Sequence, residues 1–257
     1  MKPEVSIITP IFNSEAFIKA ALDSVLSQSF KNWELILVDD ASTDNSISIV
    51  EIYLKKHSNI TLIKQERNSG TAVCRNVATK AANGNYIAFL DADDIWQPSK
   101  LEKQIAFMKT QNIEVCFSSY DLMDEKGNNL FTTIKALPKL TYDKLLKCNY
   151  IGNLTGIYNV KTLGKIYTSK LRKRQDWLLW LYALQRSKTP ALSVQESLAF
   201  YRVRTDGISS NKSQLIKYNF LVYKEGLKFS TLKSLFYLCL FLFEYVFIKP
   251  KQRMKHN

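Results

Sequence analysis

A chain of 257 residues with 46% apolar side chains is long and apolar enough to bury a full core, as one large domain or as a domain with an appendage. Its four cysteines, Cys74, Cys116, Cys148 and Cys239, stand far apart without a C-x-x-C pair, which argues against a zinc site and a disulfide framework and favours a reducing cytosol. The net charge of +13 is unevenly placed: residues 1–160 hold 17 Lys and Arg against 18 Asp and Glu, whereas residues 161–257 hold 19 against 5. A basic half of this kind meets nucleic acid, anionic lipid or an anionic substrate, and the residues around the charge must choose.

The chain enters Val5-Ser-Ile-Ile-Thr9 with no basic region or long apolar segment ahead of it, so no signal peptide is expected. Short runs rich in Val and Ile at Val5–Thr9, Leu35–Asp39, Ile60–Lys64, Tyr86–Leu90 and Glu114–Ser118 read as strands covered on both faces. Between them, Phe17, Ile18, Ala21, Leu22, Val25 and Leu26 recur at helical spacing, as do Ile47, Ile49, Val50 and Leu54, and then Leu101, Ile105 and Met108. Asp44 and Ser99 are the expected N-caps of the second and fourth helices. This alternation predicts an α/β fold with a mostly parallel, Rossmann-type sheet flanked by helices, in which ligands gather beyond the carboxyl ends of the strands.

Polar clusters fall at those ends. Thr9-Pro10-Ile-Phe12-Asn13 follows the first strand, Asp39-Asp40-Ala-Ser-Thr-Asp44 the second, and Gln65-Glu-Arg-Asn68-Ser-Gly70 the third. The fourth strand, Tyr86–Leu90, ends in Asp91, Asp93 and Asp94, three carboxylates within four positions. Like charges this close raise one another's pKa and repel unless a cation or hydrogen-bond donors sit among them. A divalent ion carrying a diphosphate suits the arrangement, since Mg²⁺ and Mn²⁺ take few protein carboxylates and fill the remaining positions with water and phosphate oxygens. Each cluster also has a plain reading as a turn, a cap or a solvated loop. Their chemistry nevertheless coheres: Asp accepts from a uracil imide or ribose hydroxyls, Phe12 offers a stacking face, and Arg75 can neutralise phosphate.

Together, Val5-Ser-Ile-Ile-Thr-Pro-Ile-Phe-Asn, Val38-Asp-Asp-Ala-Ser-Thr-Asp, Asn68-Ser-Gly with Arg75-Asn76, and Phe89-Leu-Asp-Ala-Asp-Asp resemble the family 2 glycosyltransferases of GT-A fold. The match is close over about the first 125 residues and looser to about residue 210. The resemblance implies an inverting transfer from a nucleotide-diphosphate sugar, a UDP-sugar above all, with Mn²⁺ or Mg²⁺, to a hydroxyl of a glycan or lipid-linked saccharide in cell-surface polysaccharide synthesis. It also implies that Thr9, Pro10, Phe12, Asn13, Glu15, Asp39, Asp40, Asn68, Gly70, Arg75, Asp91 and Ala92 hold the nucleotide while Asp93 holds the metal.

Residues 119–170 are less periodic, with a hairpin turn at Asp124-Glu-Lys-Gly-Asn-Asn129, and suit an acceptor-facing insertion. Arg174-Gln-Asp176-Trp177-Leu-Leu-Trp180 opens an apolar helix, and Asp176 reads either as its N-cap or, by resemblance to the family's E-D-x-x-x-W motif, as the catalytic base. Gln175 stands where the family often has Glu. Tyr201-Arg202-Val-Arg204 through Ser209 resembles the Y-R-x-H-x-x-S segment with Arg204 in place of a metal-reaching His; guanidinium is no metal ligand, so Arg202 and Arg204, with Trp177, are assigned to the diphosphate or acceptor side.

The last stretch, Leu235–Ile248, is a 14-residue apolar and aromatic run interrupted by Glu244 and followed by Lys249-Pro-Lys-Gln-Arg-Met-Lys255. By run length it falls short of the about 20 residues that span a bilayer. A basic-flanked interfacial helix on an anionic surface fits, and packing on the catalytic domain or on a second copy is the other reading. Nucleic acid is disfavoured, because the aromatics lie in apolar runs. The expected organisation is a catalytic domain over 1–210, divided into a nucleotide-sugar half (1–118) and an acceptor half (119–210), with a basic helical tail over 211–257. The expected location is the cytoplasm, peripheral at the inner face of the cell membrane. A nucleotidyltransferase and a non-catalytic nucleotide-sugar-binding protein are the alternatives.

Overall fold

The computed structural model describes residues 2–169, 171–204 and 212–256. Its first half alternates as the sequence pattern requires: β1 (Val5–Ile11), α1 (Ile18–Leu26), β2 (Trp33–Asp39), α2 (Ser46–Leu54), β3 (Ile60–Lys64), α3 (Thr71–Ala81) and β4 (Tyr86–Phe89). β1 pairs in parallel with both β2 and β4, and β2 with β3. Burial follows a period of two. Val5, Ile7, Ile11, Leu35, Leu37 and Ala88 enter one apolar cluster, while Ile8, Ile36, Val38, Ile87 and Phe89 enter the other, so helices cover both faces.

The second half is mixed. After β5 (Ile95–Trp96) and α4 (Lys100–Gln111), β6 (Val115–Met123) runs across the expected 118/119 division. It turns at residues 124–128 into the antiparallel β7 (Asn129–Ile134). After β8 (Lys139–Leu140) and α5 (Tyr142–Lys147) comes β9 (Ile157–Asn159), which lies antiparallel between β4 and β6. The fifth expected strand therefore does not adjoin the fourth. α6 (Val160–Leu163), α7 (Gln175–Arg186) and β10 (Ala191–Arg202) follow, with β10 parallel to β6.

The caps differ in detail. Asp44 Oδ1 accepts from Ser46 N at 3.0 Å and so serves the start of α2, whereas Ser99 precedes α4 without a side-chain capping bond. Helix α7 is apolar on nearly every side, the signature of a helix sunk in the core. Trp180 lies so close to the backbone that a Cβ at Gly156 would fall 2.0 Å from its Cζ2.

The 210/211 boundary lies outside the described residues. Beyond it, α8 (Lys212–Leu221) and α9 (Thr231–Phe243) are followed by β11 (Arg253–Lys255), which pairs antiparallel with β7. Val222, Tyr223 and Phe241 share the core cluster of Trp177, so the tail is built onto the body. The run-length expectation is corrected here. Helix continues unbroken from Thr231 to Gln252, 22 residues with a window of mean hydropathy 1.7, long and apolar enough by length and composition to cross a membrane. One side of it is nevertheless held by protein: Ser234, Phe241, Glu244 and Gln252 are buried.

Candidate active site

The parallel register sets Ile11 beside Asp39 and Ile8 beside Phe89, so the segments that follow β1, β2 and β4 leave the sheet on one rim. Two of those segments are laced together. Asn13 Oδ1 accepts from Thr43 N at 2.9 Å, Glu15 Oε2 from Asn45 N at 2.9 Å, and Asp44 Oδ2 from Glu15 N at 2.9 Å. Asn13 and Glu15 thus hold the rim's shape, leaving Phe12 48% exposed as an open ring face. Thr9 and Pro10 lie within β1, and the buried Thr9 hydroxyl has no hydrogen-bond partner among the described residues.

Asp39 and Asp40 divide. Asp39 accepts only long bonds from Ser42 N, at 3.2 and 3.4 Å. Asp40 is fully engaged, taking Ser69 N at 2.7 Å and Gly70 N at 2.8 Å, and so ties down the loop ahead of α3. Gly70 has φ +89°, a backbone angle that favours glycine, and Asn68 beside it is exposed. Arg75, buried on α3, reaches across to Asp91 Oδ1 at 2.5 Å and leaves its Nε without a partner among the described residues.

After β4, Ala92 is buried between Asp91 and Asp93. Burial, and then the charge of Asp91, push the Asp93 carboxyl above the usual range, with Arg204 acting in the opposite direction. Burial pushes Asp94 well up, and its two neighbours add to the effect. The turn thus buries like charges beside one another. Arg204 supplies positive charge, from Nη1 to Asp93 Oδ2 at 3.4 Å. Arg202, expected on the diphosphate or acceptor side, is engaged with the same turn: its N donates to Asp94 Oδ1, its Nε to Asp93 O, and its Nη1 to Asp124 O and Glu125 O. It fastens the carboxylate turn to the β6–β7 hairpin. Both guanidinium groups stack 4.9 Å from the Phe17 ring, a contact the sequence pattern gave no reason to expect.

Asp176 sits in the first turn of α7, but the N-cap position belongs to Arg174, at φ +65°. Asp176 Oδ2 instead accepts from Asn149 Nδ2 at 2.8 Å. Its charge acts on Arg75 together with that of Asp91, and on Tyr120 together with that of Asp94, which brings α7 and the carboxylate turn to one place. Gln175 is buried, its Oε1 without a partner among the described residues and its Nε2 donating to Arg172 O at 3.1 Å. Trp177 corrects an expectation. It is fully buried, its indole donates to Leu145 O at 2.8 Å, and its ring packs on Tyr223 and Phe241, so it cannot touch an acceptor.

Three site residues escaped the sequence reading. Tyr120 on β6 lies edge-on to Tyr201 at 6.1 Å, Asn153 is buried with neither amide atom partnered among the described residues, and Asn149 holds Asp176. Their roles arise from contacts distant in sequence, and no local motif marks them. The Ser209 end of the Tyr201 segment lies outside the described residues.

A Rossmann-type sheet whose carboxyl rim presents an acidic turn, arginines and an aspartate from a buried helix defines a glycosyltransferase of GT-A type. Residues 6–166 match the family model described as Glycosyl transferase family 2, and the chain belongs to that family. It is 43% identical over 224 residues, 87% of this chain and 88% of the relative, to TuaG of Bacillus subtilis (strain 168), whose name places it among glycosyltransferases of teichuronic acid biosynthesis. It is 38% identical, over 83% of this chain and 82% of the relative, to UDP-Glc:alpha-D-GlcNAc-diphosphoundecaprenol beta-1,3-glucosyltransferase WfgD of Escherichia coli. Among solved structures, S. aureus TarS 1–349 in complex with UDP-GlcNAc superposes with a TM-score of 0.75 at 25% identity, covering 95% of this chain and 73% of that one.

Proposed function

We propose that the chain transfers the sugar of a UDP-sugar, with inversion, to a hydroxyl of a saccharide linked through diphosphate to a membrane lipid, in the synthesis of a cell-surface polymer. The observation that carries this reading is the Arg75–Asp91 pair, 2.5 Å apart on the rim, with Asp176 on α7 near enough for its charge to act on Arg75. The relatives named above, one acting from UDP-Glc on a diphosphoundecaprenol-linked sugar, support the choice of donor and acceptor class.

In this reading Asp39 faces the nucleoside and Phe12 covers the base. Asp176 takes the proton from the acceptor hydroxyl as its oxygen attacks the anomeric carbon opposite the departing diphosphate, while Arg204 and Arg75 provide fixed positive charge near the departing oxygens. The donor set suits a divalent ion. Asp93 Oδ2 meets Arg204 at the long distance of 3.4 Å, which leaves the carboxylate loosely held, with Asp91 two positions away, and Mg²⁺ or Mn²⁺ asks for only one or two protein carboxylates. Held by Asp93, such an ion would neutralise charge on the leaving diphosphate.

We place the enzyme at the cytoplasmic face of the membrane, seated on anionic lipid through the C-terminal helix. Leu232, Phe236, Phe243, Val246 and Phe247 are exposed there, and Lys251, Arg253 and Lys255 follow. The test of the catalytic reading is UDP release from a panel of UDP-sugars, with and without a detergent-soluble GlcNAc-diphospholipid. Asp176→Asn is expected to keep UDP affinity and lose about 10²–10⁴-fold in turnover. No turnover of any UDP-sugar by the parent, or parental turnover by the variant, overturns it.

A further inference from the structure

Asn149 stands between the C-terminal helix and Asp176. Its side-chain Nδ2 donates to Asp176 Oδ2 at 2.8 Å, its Oδ1 accepts from Ile151 N at 3.2 Å, and its backbone carbonyl accepts from Lys249 Nζ at 2.7 Å. The bond from Ile151 N fixes which way the amide faces, because only an oxygen can accept it. Nδ2 is thereby committed to Asp176. Among the described residues Oδ2 is the only oxygen of that carboxylate with a hydrogen-bond partner, so Oδ1 is left for an incoming hydroxyl.

The segment that carries Asn149 is gripped from the tail at several points. Glu244 accepts from both Lys144 Nζ and the Tyr150 hydroxyl, and the Tyr223 hydroxyl donates to Leu146 O at 2.7 Å. The Trp177 indole, next to Asp176 in sequence, bonds Leu145 O at 2.8 Å. Residues 144–151 are thus a strap between the helix bearing the base and the tail helix, whose outer side is apolar and exposed. A rotation or lift of the tail helix would withdraw Lys249 from the Asn149 carbonyl and Glu244 from Tyr150, loosening the segment that aims the amide at Oδ2.

We propose that Asn149 is the positioning residue for Asp176 and that the C-terminal helix, through Lys249 and Glu244, holds Asn149 in register, so that seating of that helix and readiness of the base are coupled. This rests on the reading of Asp176 as the base. The amide N–H fixes the direction of the carboxylate that accepts the proton.

The experiment compares Asn149→Ala, Asn149→Asp, Lys249→Met and Asp176→Asn with the full-length parent, using the UDP-sugar that the parent turns over fastest. Asn149→Ala is expected to lower kcat by about 10–100-fold, the cost of a misplaced catalytic group, with donor KM and UDP affinity within about twofold of parent. Asn149→Asp lowers kcat at least as far, because an ionised carboxylate has no N–H to donate to Asp176. Lys249→Met lowers kcat in the same direction while binding phosphatidylglycerol vesicles as the parent does, and its intact UDP affinity shows a folded enzyme. If Asp176→Asn is inactive while Asn149→Ala keeps the parental kcat, the inference falls. If Asp176→Asn is itself parental, the base assignment falls instead. Parental kcat in Lys249→Met with a slowed Asn149→Ala removes the tail from the proposal.

Discussion

At the scale of single residues, Asp39 and Asp40 show how neighbours of one type are assigned different tasks by their surroundings. Asp40 satisfies two backbone N–H groups of the loop before α3, so Asp40→Ala leaves both without their acceptor and is expected to cost about 1–3 kcal/mol of stability. Asp39 makes only long bonds, and Asp39→Ala should weaken UDP without metal while the melting temperature stays near the parent's. Thermal melts beside calorimetric UDP titrations separate the two, and equal effects of both on UDP alone would refute the division. Asp93→Asn removes the charge offered to a divalent ion, so the gain in UDP affinity on adding Mn²⁺ should largely vanish; an undiminished gain sinks that role. The rim clusters were legible in the sequence because each follows a strand whose end the apolar run marks. Asn149 and Asn153 were not, since what distinguishes them is a partner, or the lack of one, created by folding.

At the scale of elements, the five strands with apolar runs were legible because burial on both faces writes itself as a continuous Val/Ile segment. β5, β8 and β9 have two, two and three residues, too few to show a period, and β9 enters the sheet from a distant part of the chain. The apolar run of α7 marked a helix, but its sequence could not say which side Trp177 would take, because a helix apolar all round has no preferred face until its neighbours are known. Those neighbours impose close tolerances. A methyl at Gly156 would meet Trp180 Cζ2 at 2.0 Å, and that ring is fixed by Phe89 at 5.9 Å and Tyr158 at 6.4 Å. Gly156→Ala should therefore cost about 1–3 kcal/mol through overpacking. At about 2–4 °C per kcal/mol for a chain of this size, calorimetry should show the loss directly, and an unchanged melting temperature would mean that Trp180 has room to move.

At the scale of the whole molecule, the inner and outer faces of the tail call for different experiments. The inner face belongs to the fold. Phe241 packs on Trp177 at 5.6 Å, β11 extends the sheet, and Glu244 is ion-paired to Lys144. Burial alone would raise the Glu244 carboxyl, but Lys144 and the Tyr150 hydroxyl bring it below its ordinary value of 4.5. A depressed carboxyl stabilises above the unfolded-state value and stops doing so as pH falls through the folded one, so the tail's grip should weaken only below about pH 4.5. Removing residues 231–257 would damage the core along with any membrane contact, so substitutions on the outer face are the cleaner probe. Phe236, Phe243 and Phe247 are 60%, 57% and 60% exposed, and changing all three to Ser removes no described core contact of the body. If the helix lies in the interface, each ring contributes part of the about 1.5–3 kcal/mol of a fully buried side chain, while Lys251, Arg253 and Lys255 contribute about 1 kcal/mol apiece near anionic lipid. The triple variant should then lose at least about tenfold in partitioning onto phosphatidylglycerol vesicles, retain its melting temperature, and show a residual affinity that salt abolishes. Parental vesicle binding together with a shift from dimer to monomer on sedimentation would instead assign the face to a second copy of the chain.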